Sequence, residues 1–197
     1  MRVSEACQAI SEAAGERVIV STMGAMLALD ALGVSERRLS SVPLMGGAAS
    51  LGLGLALARP GIGVIVVDGD ASLLMQFGAL VSVADNRPSK FLHVVIENGV
   101  QFAGACALPT PGAAAVDFAA AALAAGYARA RRFADAASLK NALPALLDAE
   151  GPTFVALKVE PEPSRFGPDA PLPEIPDRQF ARMRMEAERL GIWYTNH

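Results

Sequence analysis

A chain of 197 residues that is 52% apolar can bury a sizeable core within one domain. Its net charge of −3 gives no general electrostatic reason to bind nucleic acid or an anionic membrane surface. Apolar runs of membrane-spanning length are broken by charges or turn residues, and the first residues lack the basic-then-apolar shape of a secretory leader, so a cytoplasmic protein is expected.

Residues 3–14 read as a short helix. Arg17–Ser21 is a first strand, and Thr22–Gly24 turns into a helix over Ala25–Leu32 that stops at Gly33. Ser40–Leu44 is a second extended piece, Met45–Gly47 turns, and Ala48–Ala58 is a helix of small residues ended by Arg59-Pro60. Residues 42–58 are uncharged, but Pro43 and the glycines mark a buried loop and helix rather than a membrane span. Gly63–Val67, rich in Val and Ile and closed by Asp68-Gly69-Asp70, has the pattern of a strand buried on both faces. Ser72–Ala84 switches to helical period, with Leu73, Leu74, Phe77, Leu80, Val81 and Ala84 on one face, and Pro88 ends the helix at Arg87. Phe91–Ile96 is the next buried strand, closed by Glu97-Asn98-Gly99. Asp117–Ala125 is a helix stopped by Gly126, and Tyr127–Arg131 is a strand of mixed character. A helix over about 135–149 contains Pro144, which either kinks it or marks its start, and Thr153–Val159 is the last strand. The alternation predicts an α/β fold with a doubly wound, mainly parallel sheet and helices on both faces.

Residues 1–159 therefore form one domain, and 160–197 differ in character. Six prolines within 161–176 make an extended arm, followed by a helix over Asp177–Leu190 with four arginines and an apolar stripe of Phe180, Met183, Ala187 and Leu190. That helix either docks on its own domain or reaches across a subunit interface. The two cysteines, Cys7 and Cys106, form neither a metal-ligand nor a disulfide framework.

The unit over Gly63–Gly104 is βαβ, so its strands should be parallel with both carboxyl ends at one edge. Asp70 and Asn98 follow those two ends, where open α/β sheets bind ligands. Backbone amides of the helix from Ser72 favour phosphate at the same place. One carboxylate, one amide oxygen, free amides and the small residues Gly69, Ala71 and Gly99 together suit Mg2+ carrying a diphosphate. Taken singly, Asp70 is a helix cap and Asn98-Gly99 a turn; the spacing of the pair favours the site. Other chemistries are poorly supported. No dinucleotide fingerprint or P-loop sits between a strand and a helix, and Gly52-Leu53-Gly54 lies inside a helical stretch, where it lets helix approach sheet. Ser50 loosely occupies a nucleophile elbow, but the histidines are only His93, in mid-strand, and the terminal His197.

Gly69-Asp70-Ala71-Ser72 with Glu97-Asn98 resembles the motif of the thiamine diphosphate-dependent enzymes, Gly-Asp-Gly followed by Asn-Asn. Val20–Gly24, Met45–Ala48, Gly52–Ala56 and Gly151–Phe154 are similar to the small, diphosphate-binding subunit of sulfopyruvate and phosphonopyruvate decarboxylases. The resemblance covers roughly residues 5–160. It implies that Asp70, Asn98 and the carbonyl of Val100 hold Mg2+, and that Ser21, Thr22, Gly24, Met45, Gly46, Gly69, Ala71 and Ser72 contact thiamine diphosphate, with Met45 supporting the bent cofactor. It also implies a small 2-oxoacid substrate and a partner subunit with a pyrimidine-binding domain, in a hetero-oligomer. The glutamate that activates the cofactor is expected on that partner, so no catalytic residue is assigned to this chain. Ala71 replaces the motif's second glycine, Glu97 its first asparagine, and the family's Gly-Gly-Gln is not visible in 101–106. Another thiamine diphosphate-dependent lyase or carboligase of the acetolactate synthase type, and a non-catalytic subunit that has lost the cofactor, are the alternatives.

Overall fold

The computed structural model describes residues 1–42, 44–102, 107–161 and 176–196. Its elements run α1 (Val3–Ala13), β1 (Val18–Ser21), α2 (Met23–Ala31), β2 (Arg38–Ser40), α3 (Ala48–Ala58), β3 (Val64–Gly69), α4 (Asp70–Met75) and α5 (Ala79–Asn86). They continue as β4 (Phe91–Glu97), β5 (Val100–Gln101), β6 (Leu108–Pro109), α6 (Phe118–Ala125), β7 (Arg129–Phe133), α7 (Ala136–Leu147), β8 (Thr153–Lys158) and α8 (Pro176–Asn196). Six strands form one sheet in the order β2-β1-β3-β4-β8-β7, and every pairing in it is parallel.

The expected doubly wound sheet is therefore present, and strand alternation shows how its two faces are covered. Ile65 and Val67 of β3, with Leu92, Val94 and Ile96 of β4, face a core shared with α1, α2 and α7. Val64 and Val66, with Phe91 and Val95, face a second core shared with α3, α5 and α6. Gly52 shows why α3 is built of small residues, since a Cβ there would lie 2.3 Å from Val66 Cγ2. Successive crossovers leave β1 toward β2 on one side and return to β3 on the other. The crevice between the carboxyl ends of β1 and β3 is thus the switch point of the sheet.

Several boundaries differ from the sequence reading. The helix expected over Ser72–Ala84 is two helices, α4 and α5, broken at Gln76–Gly78. Gly78, the poorest helix former of the stretch apart from proline, precedes α5. The break shifts the phase, so Phe77 and Val81 are exposed while Ala79, Leu80, Val83 and Ala84 are buried. The second strand is Arg38–Ser40, earlier than expected, because its register is set against Ile19–Ser21 of β1. The edge strand near 130 begins at Arg129 rather than Tyr127, whose ring is buried in the second core. Pro144 lies inside α7 and does not start it; the Asp135 carboxylate accepts from the Ser138 N–H at 2.8 Å and caps the true amino end. The short antiparallel ribbon of β5 and β6 was not anticipated.

The last helix extends to Asn196 and packs along β2. Glu186 accepts from the Ser40 backbone N–H at 2.6 Å and from the Ser40 hydroxyl at 3.0 Å, which covers the sheet's free edge. Arg38, nearly fully buried, donates to Asp30 at 2.7 Å and to the Met26 carbonyl at 2.9 Å. The proline-rich arm at 162–175 lies outside the described residues, as do Pro43, Cys106 and His197. Cys7 is buried. Among the described residues, no helix is long and apolar enough to cross a membrane.

Candidate functional site

A cavity of about 350 Å3 opens at the switch point. The ends of three helices meet there: Arg2, Val3 and Ser4 of α1, Thr22 to Gly24 of α2, and Gly69 to Ser72 at the start of α4. Amino ends of helices present unpaired N–H groups, so the cavity suits an anion. The helix carrying Asp70 is only six residues long, shorter than the sequence suggested.

Asp70 and Asn98 both line this cavity, at the ends of adjacent strands β3 and β4. Asp70 is 2% exposed. Its Oδ1 accepts from the Ala71 N–H and its Oδ2 from the Gly99 N–H, each at 2.7 Å. Burial pushes its carboxyl above the ordinary range; the N–H groups of Gly99, Ala71 and Asn98, then the Lys158 ammonium, oppose this. Asn98 Oδ1 accepts from the Val100 N–H at 3.0 Å. Each of these oxygens keeps a second lone pair. A buried carboxylate that lacks a cationic partner in contact, beside an amide oxygen, fits a hard divalent cation that completes its shell with ligand oxygens and water. Among the described residues no three His, Cys, Asp or Glu side chains cluster as a metal cage, consistent with a site that relies on other oxygens.

Thr22, Gly24, Met45, Gly69, Ala71, Ser72 and Val100 also line the cavity. Ser21 and Gly46 do not reach its wall. Ser21 is fully buried with its hydroxyl unpartnered, and the Gly46 N–H donates to the Ser72 hydroxyl at 2.8 Å. Gly46 has φ +87°, and a Cβ there would sit 3.1 Å from Gln76 Cβ, so this turn requires glycine. Ala71 lies within α4 and is not among the residues of positive φ, so its methyl is compatible with the turn. Glu97 does not line the cavity although its neighbour Asn98 does, as strand alternation requires. Burial raises its carboxyl, opposed first by Arg132 and then by Lys158.

The thiamine pyrophosphate enzyme model, C-terminal TPP binding domain, matches residues 32–157, more than half of the chain. The chain belongs to the thiamine pyrophosphate enzymes. It is 35% identical over 163 residues to a phosphonopyruvate decarboxylase of Streptomyces viridochromogenes, an alignment covering 81% of this chain and 40% of that protein. It is 34% identical over 131 residues to the sulfopyruvate decarboxylase subunit beta of Methanothermobacter thermautotrophicus, covering 64% of each. A solved Rhodococcus jostii thiamine diphosphate-dependent 4-hydroxybenzoylformate decarboxylase shares the fold, with a TM-score of 0.67 at 18% identity, over 82% of this chain and 33% of that one. The chain thus spans about two-fifths of the Streptomyces relative's length.

Placed on this thiamine pyrophosphate fold, several cavity residues had escaped the sequence reading. Met23 sits at φ +38°, an uncommon conformation for methionine, where β1 turns into α2. Gln101 and Phe102 reach the cavity where β5, paired with β6, packs against α4. Arg2 gave no sequence signal, since its place depends on how α1 crosses the sheet. Asp68 also lines the cavity and had been read only as the boundary of its strand. The serine hydrolase alternative fails on geometry: Ser50 is exposed on α3, whereas His93 is fully enclosed within the sheet.

Proposed function

We propose that this chain is the thiamine diphosphate- and Mg2+-binding subunit of a 2-oxoacid decarboxylase acting on a sulfopyruvate- or phosphonopyruvate-like substrate. The observation that carries the reading is the convergence of Asp70 and Asn98 on one cavity at the sheet's switch point, in a chain of this family. The decarboxylase names of the relatives give the reaction class, and their 2-oxoacids share an acidic tail, a phosphonate or a sulfonate.

In this reading Asp70, Asn98 and the Val100 carbonyl hold the cation. The amides at the starts of α2 and α4 bind the diphosphate, with Thr22, Gly24, Gly69, Ala71 and Ser72 in contact and Ser21 and Gly46 behind them. Gly46 acts through its N–H, which orients the Ser72 hydroxyl. Met45 supports the cofactor's central bend with an apolar surface. When bound, thiamine diphosphate supplies an electron sink for the carbanion equivalent left as CO2 departs. The chain's own residues anchor and orient the group and exclude water around it. The subunit beta relative motivates a pyrimidine-domain partner, which would carry the activating glutamate; a hetero-oligomer in the cytoplasm follows from the same reading.

Titration calorimetry of the purified chain with thiamine diphosphate, with and without Mg2+, tests the core of the proposal. Saturable binding that requires the metal supports it. Absence of binding both alone and with a co-purified partner refutes it.

A further inference from the structure

Beneath the cavity runs a buried polar chain that the cofactor reading does not use. Asp68 ends β3 and is 1% exposed, His93 lies in β4 and is fully enclosed, and Tyr127 precedes β7 at 4% exposure. His93 Nδ1 lies 2.9 Å from the Tyr127 hydroxyl. Asp68 Oδ1 accepts from the Gly69 N–H at 2.9 Å. The remaining atoms face each other: Asp68 Oδ2 and His93 Nε2 are 3.7 Å apart, and among the described residues neither has a hydrogen-bond partner. Aromatic rings enclose the imidazole, with Phe154 edge-on at 5.2 Å between centroids and Phe91 at 6.5 Å.

With Asp68 ionised and the imidazole neutral, one arrangement of hydrogens pairs the facing atoms of this chain. A carboxylate only accepts, so Asp68 Oδ2 needs a donor, and the facing group is Nε2. If Nε2 carries the hydrogen of a neutral ring, Nδ1 bears a lone pair and accepts from Tyr127. Burial and the charge of Asp68 both raise the Tyr127 phenol above its ordinary range, so it keeps the hydrogen to donate. The opposite tautomer would set a lone pair against a buried carboxylate oxygen, leaving both unpaired among aromatic rings. The 3.7 Å separation exceeds a usual N–H···O length by about 0.7 Å, so the two atoms face each other and a side-chain rotation would be needed to close the bond.

We infer that His93, held by Tyr127 as the Nε2–H tautomer, is a positioning residue that holds the Asp68 carboxylate in the cavity's wall, tied to the sheet, and so fixes the Gly69–Asp70 turn. Its consequence for the cofactor rests on the thiamine diphosphate reading above. Without the imidazole donor, Asp68 Oδ2 has no facing donor and swings out of the wall into the cavity, where its charge opposes a diphosphate.

Two measurements on the full chain test this. Side-chain 15N NMR of the cofactor-free protein, with His197→Gln used for assignment, should show a protonated Nε2 and an unprotonated Nδ1 at His93. A protonated Nδ1 overturns the inference, whether or not the protein binds any cofactor. Calorimetry with thiamine diphosphate and Mg2+ should show roughly tenfold or greater loss of affinity in His93→Phe. His93→Gln, whose amide can donate to Asp68 and accept from Tyr127, should stay within about threefold of the original. Adding Asp68→Asn to His93→Phe should recover most of the loss, because the unpaired charge is gone. A purely packing role for the ring predicts the reverse order, Phe tolerated better than Gln, and that result also overturns the inference. If His93→Phe fails to fold, the tautomer and the Gln variant decide. A wild-type chain with the expected tautomer that binds no cofactor refutes the cofactor reading while leaving the tautomer assignment intact.

Discussion

Asp70→Asn separates the metal role of this side chain from its structural one. The carboxylate accepts two backbone N–H groups at 2.7 Å, one on each oxygen. An asparagine offers one oxygen, so its amide nitrogen must face either Ala71 N–H or Gly99 N–H, donor against donor. The unpaired group costs about 1–3 kcal/mol. Removal of a buried charge offsets part of that. Burial raises the Asp70 carboxyl, so its favourable contribution to folding is present below its unfolded value and is lost as pH rises through the folded one. At neutral pH the bare carboxylate therefore weakens the cofactor-free fold, and the variant should lose well under about 3 kcal/mol of stability. The effect of ligand is larger. With cofactor and Mg2+ at 100 times Kd, the original protein gains about 2.7 kcal/mol, or roughly 5–11 °C in Tm for a domain of this size. A 100-fold loss of affinity reduces the gain to about 0.4 kcal/mol, one to two degrees. Thermal unfolding by circular dichroism, with and without thiamine diphosphate and Mg2+, reads both quantities. If Asp70→Asn shows the same ligand-induced rise as the original, Asp70 does not hold the metal.

Three further substitutions test the scaffold around the site. Ala71→Gly should leave cofactor affinity within about tenfold, because the backbone already tolerates a Cβ, while costing about 1 kcal/mol of helix stability in thermal unfolding. Gly52→Ala should destabilise the fold by about 1–3 kcal/mol or more in urea titration, since the new Cβ falls 2.3 Å from Val66 Cγ2. Glu186→Ala should cost about 3 kcal/mol in the same assay, because Ser40 loses the acceptor for both its N–H and its hydroxyl and, among the described residues, the buried Arg38 keeps only the solvent-exposed Asp30 as a counter-charge; a loss below about 0.5 kcal/mol would mean that α8 contributes little to the fold.

The sequence made the sheet legible because its central strands are Val- and Ile-rich runs closed by turn residues, and because Asp70 and Asn98 each sit within three positions of the end of such a run. It could not show strand order. That the crevice lies between β1 and β3, and that α1 brings Arg2 to its wall, depends on crossovers that leave no local trace. The single helix expected over Ser72–Ala84 failed because leucines and valines continue in phase across Gln76–Gly78, and periodicity alone is blind to one non-helical turn. Asp68 and His93 illustrate a different limit. His93 is Cα partner to Val66, two residues before Asp68 on the same face of β3, so parallel register, not sequence spacing, brings the acid and the imidazole together. With that register in hand, a polar residue facing inward on each of two adjacent buried strands would have been a signal.

The final prediction concerns what the cavity lacks. Activation of the cofactor in this family, by the resemblance, needs a glutamate at the aminopyrimidine ring. Among the described residues, no glutamate lines the cavity, whose acids are Asp68 and Asp70 at the diphosphate end. Glu97 turns away from it, and Glu186 is committed to Ser40 on the far edge of the sheet. The cofactor's other end must therefore meet a surface that this domain does not itself furnish. Exposed apolar side chains stand near the wall: Leu27 and Phe102 line it and are 43% and 41% exposed, and Leu44, beside Met45, is 55% exposed. Such a rim suits a protein contact better than open water. The subunit beta relative indicates how the gap would be filled, by a pyrimidine-domain partner on a separate chain, in an α2β2 or larger assembly. The purified chain with thiamine diphosphate, Mg2+ and sulfopyruvate or phosphonopyruvate should therefore bind cofactor yet release no CO2 above background, and adding the partner should restore turnover. A second copy of this chain would bury the same rim without supplying a pyrimidine-binding domain, so concentration alone should not produce activity. Full turnover by this chain free of any other polypeptide would overturn the argument.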